Sequence, residues 1–248
     1  MGHWVVYENY GGYSEGRYTE DKRDGNWLFW DASERLVQRA VFSNDRPNGR
    51  QTMYFHNGNR ESEGVLRKGV RNGLWSFWHH NGTLYEHGRY EEGAREGLWI
   101  SYYSSGEKHT QGQYLNGQKT GRWQSWHRNG VNEEAGQYVA GQRSGVWTEW
   151  HASGVESSKG EFANNKRTGT WSNWYINGQI ESRGTYAEGR KTNTWEGWHF
   201  NGEQKSRGTF TDDERSGLWE YWHQNGVKHK ETHFDQGRQS GAYQSWHE

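Results

Sequence analysis

Cysteine is absent from the 248 residues, which rules out a disulfide framework and a thiolate metal site and leaves the redox compartment unmarked. Proline occurs once, at Pro47. No run approaches the roughly 20 apolar residues that span a bilayer. The opening Met-Gly-His-Trp-Val-Val-Tyr-Glu also lacks the basic and apolar regions of a signal peptide. No transmembrane segment is therefore expected; a cytoplasmic location is the default reading, with a surface or extracellular assembly left open. An excess of either charge is missing too: the formal net charge is -1, so nothing global attracts nucleic acid. Hydrophobic residues make up only 29% of the chain, a level at which disorder is the first reading to consider.

What is present argues against disorder. Aromatic residues reach 16%, and each large ring can bury a great deal of area. The 35 glycines fall at regular places rather than in runs. Self-similarity at a fixed period explains both. The pattern Gly-x-Trp-x-x-Trp begins at Gly25, Gly73, Gly97, Gly121, Gly145, Gly169 and Gly217, with variants at Gly49, Asn193 and Gly241. These starts lie on a 24-residue spacing, and an earlier copy begins at Gly2, 23 residues before Gly25. Trp fills the third position in nine copies, among them Trp4, Trp123 and Trp147, and the sixth in eight, among them Trp126, Trp150 and Trp246. Gln51 and Tyr243 are the third-position exceptions; together the two positions exhaust the 17 tryptophans, so none is left for a separate site.

Shortly after the second aromatic comes Asn-Gly, as at Asn129-Gly130 and Asn177-Gly178, with Ser105-Gly106 and Ser153-Gly154 as relatives. Asn-Gly between short segments predicts a two-residue type I′ loop, so each repeat reads as one β-hairpin. The returning strand carries a glycine and then an aromatic, as in Gly136-Gln137-Tyr138, and a second polar turn such as 115–120 leads into the next copy. Counting outward from a two-residue loop places Trp123 opposite Gly136 and Tyr138 opposite Gly121, each ring lying over a glycine of the neighbouring strand. Trp126 would point to the other face unless a bulge intervenes.

These residues resemble the MORN repeat superfamily, and more closely its bacterial YwqK-like branch, in Asn129-Gly130, Gly136-Gln137-Tyr138 and the stretch from Gly141 through Gly145 to Trp147. The resemblance runs over essentially the whole chain and implies an elongated antiparallel sheet with roles in protein or membrane attachment. The expected fold is thus all-β: a single-layer twisted antiparallel sheet of about ten hairpins plus a terminal strand, forming one array over 1–248. With 20 gaps at about 4.8 Å it would extend roughly 95 Å.

For chemistry, histidine follows the second aromatic at His79, His127, His151, His199, His223 and His247. Equivalent copies would lie two strands apart, about 9.6 Å, too far to share one zinc ion, so packing or solvation is expected and no metal or cofactor is. A basic residue stands two positions before the motif glycine at Arg71, Arg95, Lys119, Arg143, Arg167, Lys191 and Arg215, read first as solvated turn residues and second as a stripe suited to anionic lipid or an acidic protein. No nucleophile elbow, phosphate loop or His-Glu-x-x-His motif occurs, and an even array lacks the asymmetric constellation that catalysis needs. The expected function is a non-enzymatic scaffold that binds a protein partner or itself. The second reading is an envelope or surface module for glycan or anionic lipid headgroups. Self-association is expected to form a dimer or filament through edge strands, with His3 and Trp4 at one end and Tyr243 and Trp246 at the other as candidates, because the final segment 242–248 has little to protect its edge.

Overall fold

The computed structural model describes residues 2–8 and 11–246, apart from the side chains of Ala242 and Tyr243. The described residues contain 21 strands and no helix. Two units are distinguished, 1–120 and 121–248. Within each unit every strand pairs antiparallel with its chain neighbours, so each is a run of hairpins in sequence order. No second layer covers either face among the described residues.

The Asn-Gly turns differ from the sequence expectation. At Asn129-Gly130 the His127 N–H donates to Val131 O at 2.8 Å, and the Gly130 N–H donates to His127 O at 2.9 Å. Gly130 has φ +82, but Asn129 is not left-handed. A three-residue loop with a type I turn and a glycine bulge therefore forms, rather than a type I′ loop. The true I′ turns are the second polar turns. At Ala140-Gly141 both residues are left-handed, with φ 47 and 78, and Val139 pairs with Gln142 around them. Asn164-Asn165 and Asp212-Asp213 do the same without any glycine, since short polar side chains tolerate this conformation.

The register survives the change of loop. Trp123 pairs with Gly136 and Gly121 with Tyr138, as counted. The longer loop shifts the pairing by one, and a bulge that leaves Glu133 unpaired between Ser125↔Glu134 and Trp126↔Asn132 shifts it back. Because that extra residue lies on the returning strand, alternation along Gln118–Trp126 is undisturbed, and Trp126 falls on the face opposite Trp123.

A larger bulge lies on the other side of each returning strand. Ala135 pairs with Thr148 but Gln137 pairs with Ser144, so Gly145, Val146 and Trp147 together oppose Gly136. Gly145 sits at φ +67 with open space where a Cβ would be, so backbone conformation, not a ring above it, demands glycine there. The same holds at Gly121, which corrects the expectation that Tyr138 needs room over it. The close approach is at the other glycine, and its ring is not the expected one: a Cβ on Gly136 would overlap the indole of Trp147, the residue of the following strand, rather than Trp123. Gly16 with Trp27, Gly64 with Trp75, Gly88 with Trp99, and Gly160 with Trp171 repeat the arrangement. Each such Trp is almost fully buried, Trp147 at 1% and Trp75 at 2%, and its Nε1–H donates to a backbone carbonyl ten residues earlier, as Trp147 does to Gln137 O at 3.2 Å.

Candidate interaction site

Edge-to-face rings extend the buried tryptophans into a ladder. In the second unit Tyr138 stands against Trp123 and Trp147, then Phe162 joins Trp147 to Trp171 and Tyr186 joins Trp171 to Trp195, at centroid separations of 5.1 to 6.1 Å. Over this ladder lie the cations of the stripe. Arg95 is 4.1 Å from the Trp99 centroid, Arg143 and Arg167 are each 4.3 Å from Trp147 and Trp171, and Lys191 is 4.5 Å from Trp195. Each also approaches the next Tyr or Phe ring. Acidic residues complete two of the sites: Arg95 donates to Glu86 at 2.6 Å and Arg143 to Glu134 at 2.8 Å. Burial works against the charge of Arg95, but Glu86 and the hydroxyls of Tyr90 and Tyr114 outweigh it and raise its pKa further. The stripe is thus a set of internal cation–π contacts. Lys119 is half-buried in its strand.

The histidine row also has a structural use. His127 Nε2 is 2.7 Å from Trp150 O, His151 Nε2 is 2.8 Å from Trp174 O, and His79 and His199 repeat the contact. A carbonyl only accepts, so each Nε2 carries a proton. Where Tyr175 replaces histidine, its hydroxyl donates to Trp198 O at 2.9 Å. Beside this row the turn asparagines form a second one: Asn129 Nδ2 donates to Ala152 O at 2.7 Å, while its Oδ1 accepts from the Val131 N–H. Among the described residues no group of three or more His, Cys, Asp or Glu is placed to hold a metal ion.

The opposite face is differently made. The second tryptophans Trp126, Trp150, Trp174, Trp198 and Trp222 lie there half-buried. Arg183 approaches Trp198 at 5.7 Å and pairs with Glu196 on the same face. Leu74, Leu98, Val146 and Leu218, all at the second position of the motif, are exposed on it, Leu74 at 75%. A groove in the first unit brings Glu15, Arg39, Arg50, Thr52 and Glu63 together. It was not foreseen, because it gathers residues from four strands. Of the end candidates, His3 is exposed with Nε2 3.3 Å from Glu15, Trp4 is 57% exposed, and Trp246 lies 5.7 Å from Lys228 Nζ. The Tyr243 side chain and His247 lie outside the described residues.

Comparison with known proteins agrees with this repeat unit. A family model described as MORN repeat variant matches residues 71–92, 95–116, 167–188 and 215–236, each segment running from the stripe position to the first residue of the next I′ turn. No curated protein matches the sequence. Among solved structures, a chain of the crystal structure of TcdB2-TccC3 is similar at 8% identity and a TM-score of 0.21, over 91% of this chain and 15% of that one. This chain spans only that small part of the other's length, and at such a score the likeness carries no argument. No helix among the described residues is long and apolar enough to cross a membrane, which says nothing of a β-barrel.

Proposed function

Taking as premise that this chain is a MORN repeat protein, we propose that it is a non-enzymatic scaffold that binds a protein partner through the face opposite the buried tryptophans. The observation that carries this reading is the contrast between the two faces. On one, the rings are enclosed by the chain's own aromatics and cations; on the other, apolar side chains including Leu98 and Val146 stand exposed beside half-buried tryptophans. Exposed apolar groups rimmed by charge mark surfaces that other proteins cover. Ion pairs such as Arg183 with Glu196 and Lys228 with Glu220 supply the rim.

The alternative of an anionic-lipid module has less support, because the cations that would meet phosphate are held over tryptophan rings. Affinity capture by the full chain, compared with a Leu98→Lys, Val146→Lys variant, tests the reading. Both side chains are exposed, so the far-UV circular dichroism should not change while the captured partner is lost. Retention of the same partner by the variant would overturn the choice of face.

A further inference from the structure

A cation lies on the tryptophan ladder at Trp27, Trp75, Trp99, Trp147, Trp171, Trp195 and Trp219, held between the indole and the next aromatic ring. Trp4 and Tyr18 make the same pair of walls, edge to face at 6.2 Å and 88°, as Trp147 and Phe162 do at 6.1 Å and 81°. Yet no cation of the described residues lies over Trp4, and its ring is 57% exposed. Val6, Glu20 and Asp21 line the same groove.

The acidic pair has a counterpart within the chain. Asp45, one repeat further on, accepts the Arg23 backbone N–H at 2.7 Å and lies 3.8 Å from its Nε, so this turn position is where a carboxylate meets the cation on the ladder. Asp213 accepts the Lys191 N–H in the same way. Asp21 occupies the equivalent place in its own I′ turn, with φ 58 against 65 for Asp45, and neither Asp21 nor Glu20 has a hydrogen bond or ion pair among the described residues.

We propose that the groove between Trp4 and Tyr18 is a docking site for an arginine or lysine side chain presented by a partner protein, with Asp21 and Glu20 as its counter-charges. The proposal rests on the scaffold reading, adds on the ladder face a contact separate from the opposite-face surface, and supplies a chemical criterion for the partner. A flat guanidinium suits it best, because it can stack on a ring while its edge faces a carboxylate, as the Arg23 guanidinium lies 4.6 Å from the Phe42 centroid with its Nε 3.8 Å from Asp45.

The probe is an acetylated and amidated hexapeptide, Gly-Arg-Gly-Arg-Gly-Arg, titrated into the full chain by calorimetry at low salt, beside the same peptide with citrulline for arginine. Citrulline keeps the shape and removes the charge. The expected result is binding of the arginine peptide alone, weakened about fivefold or more by Trp4→Leu and by Asp21→Asn, and unchanged by Trp246→Leu. Equal binding of the citrulline peptide, or full affinity in the Trp4→Leu chain, overturns the proposal. Affinity capture separates the two claims. A partner captured equally well by Trp4→Leu sinks the groove and leaves the scaffold. Peptide binding that needs Trp4, in a chain that captures no protein, sinks the scaffold and leaves the groove.

Discussion

At the scale of the residue, the constraint on Gly136 comes from the strand after it, through the indole of Trp147. The chain itself carries a trace of this coupling at a spacing of eleven: Ala40 precedes Gln51, and Thr232 precedes Tyr243, where other copies have glycine before tryptophan. Among the described residues Thr232 Oγ1 is buried with no hydrogen-bond partner, a cost that glycine avoids. That signal was legible in the sequence, but cross-strand counting within one hairpin passes over it because the ring crosses to the neighbouring hairpin. Gly136→Val should therefore destabilise by about 1–3 kcal/mol, as overpacking does. Gly154→Asn, at φ +92 with only Val131 nearby, should cost less. A double-mutant cycle assigns the ring: Gly136→Ala should couple to Trp147→Gln and not to Trp123→Gln in chemical denaturation. Coupling to Trp123 instead would restore the simpler register argument. Glu63 gives a second residue-scale test. Burial pushes its carboxyl up, but the hydrogen bond and charge of Arg50, helped by Thr52 and Arg60, outweigh this and hold its pKa below the ordinary carboxylate value. A depressed carboxylate stabilises above its unfolded pKa, and that contribution is lost as pH falls through the folded one. The melting temperature of Glu63→Gln should thus lie below that of the parent at neutral pH and converge with it on acidification below about pH 4; a gap that persists in acid would refute the ionic origin.

At the scale of the element, the hairpins, the period and the register could all be read in advance, whereas the two turn types could not. Asn-Gly satisfies a type I′ loop and equally a type I turn closed by a left-handed glycine, and local propensity does not choose between them. What decides is the neighbour: Asn129 reaches Ala152 O, the corresponding turn one repeat on, while its Oδ1 closes its own loop. The histidines belong to the same logic, each bonding a carbonyl 23 residues ahead, a contact that invites no metal. Asn129→Asp keeps the acceptor for the Val131 N–H and removes the donor to Ala152 O. It should cost about 1 kcal/mol and raise amide exchange in the 151–155 turn together with its own. If exchange rises only at 127–131, the turns are not stitched to one another.

At the scale of the whole molecule, the regularity of the contacts implies that stability is a sum over repeats and their junctions. Every strand meets chiefly its chain neighbours, and each buried tryptophan depends on a glycine eleven residues back, a cation four residues back and an aromatic fifteen residues ahead. All three offsets are preserved when one full period is removed. Deleting 145–168 joins Ser144 to Gly169, so that Trp171 comes over Gly136, Arg143 precedes it by four, and Tyr186 stays fifteen ahead. Deleting 145–156 removes half a period and joins an outgoing strand to a returning one; it takes away Trp147 and so leaves Gly136, Arg143 and Phe162 without that indole. The full-period deletion should keep the sheet spectrum by circular dichroism and a cooperative thermal transition at a reduced temperature, because it takes away one hairpin and one junction. The half-period deletion should lose the cooperative transition, since the strands beyond the cut would be inverted end for end and the rows of rings and turns on its two sides would no longer continue one another. If both deletions unfold the chain, its stability resides in contacts beyond the nearest repeat; if both are tolerated, the glycine, cation and ring positions are not what sets the register.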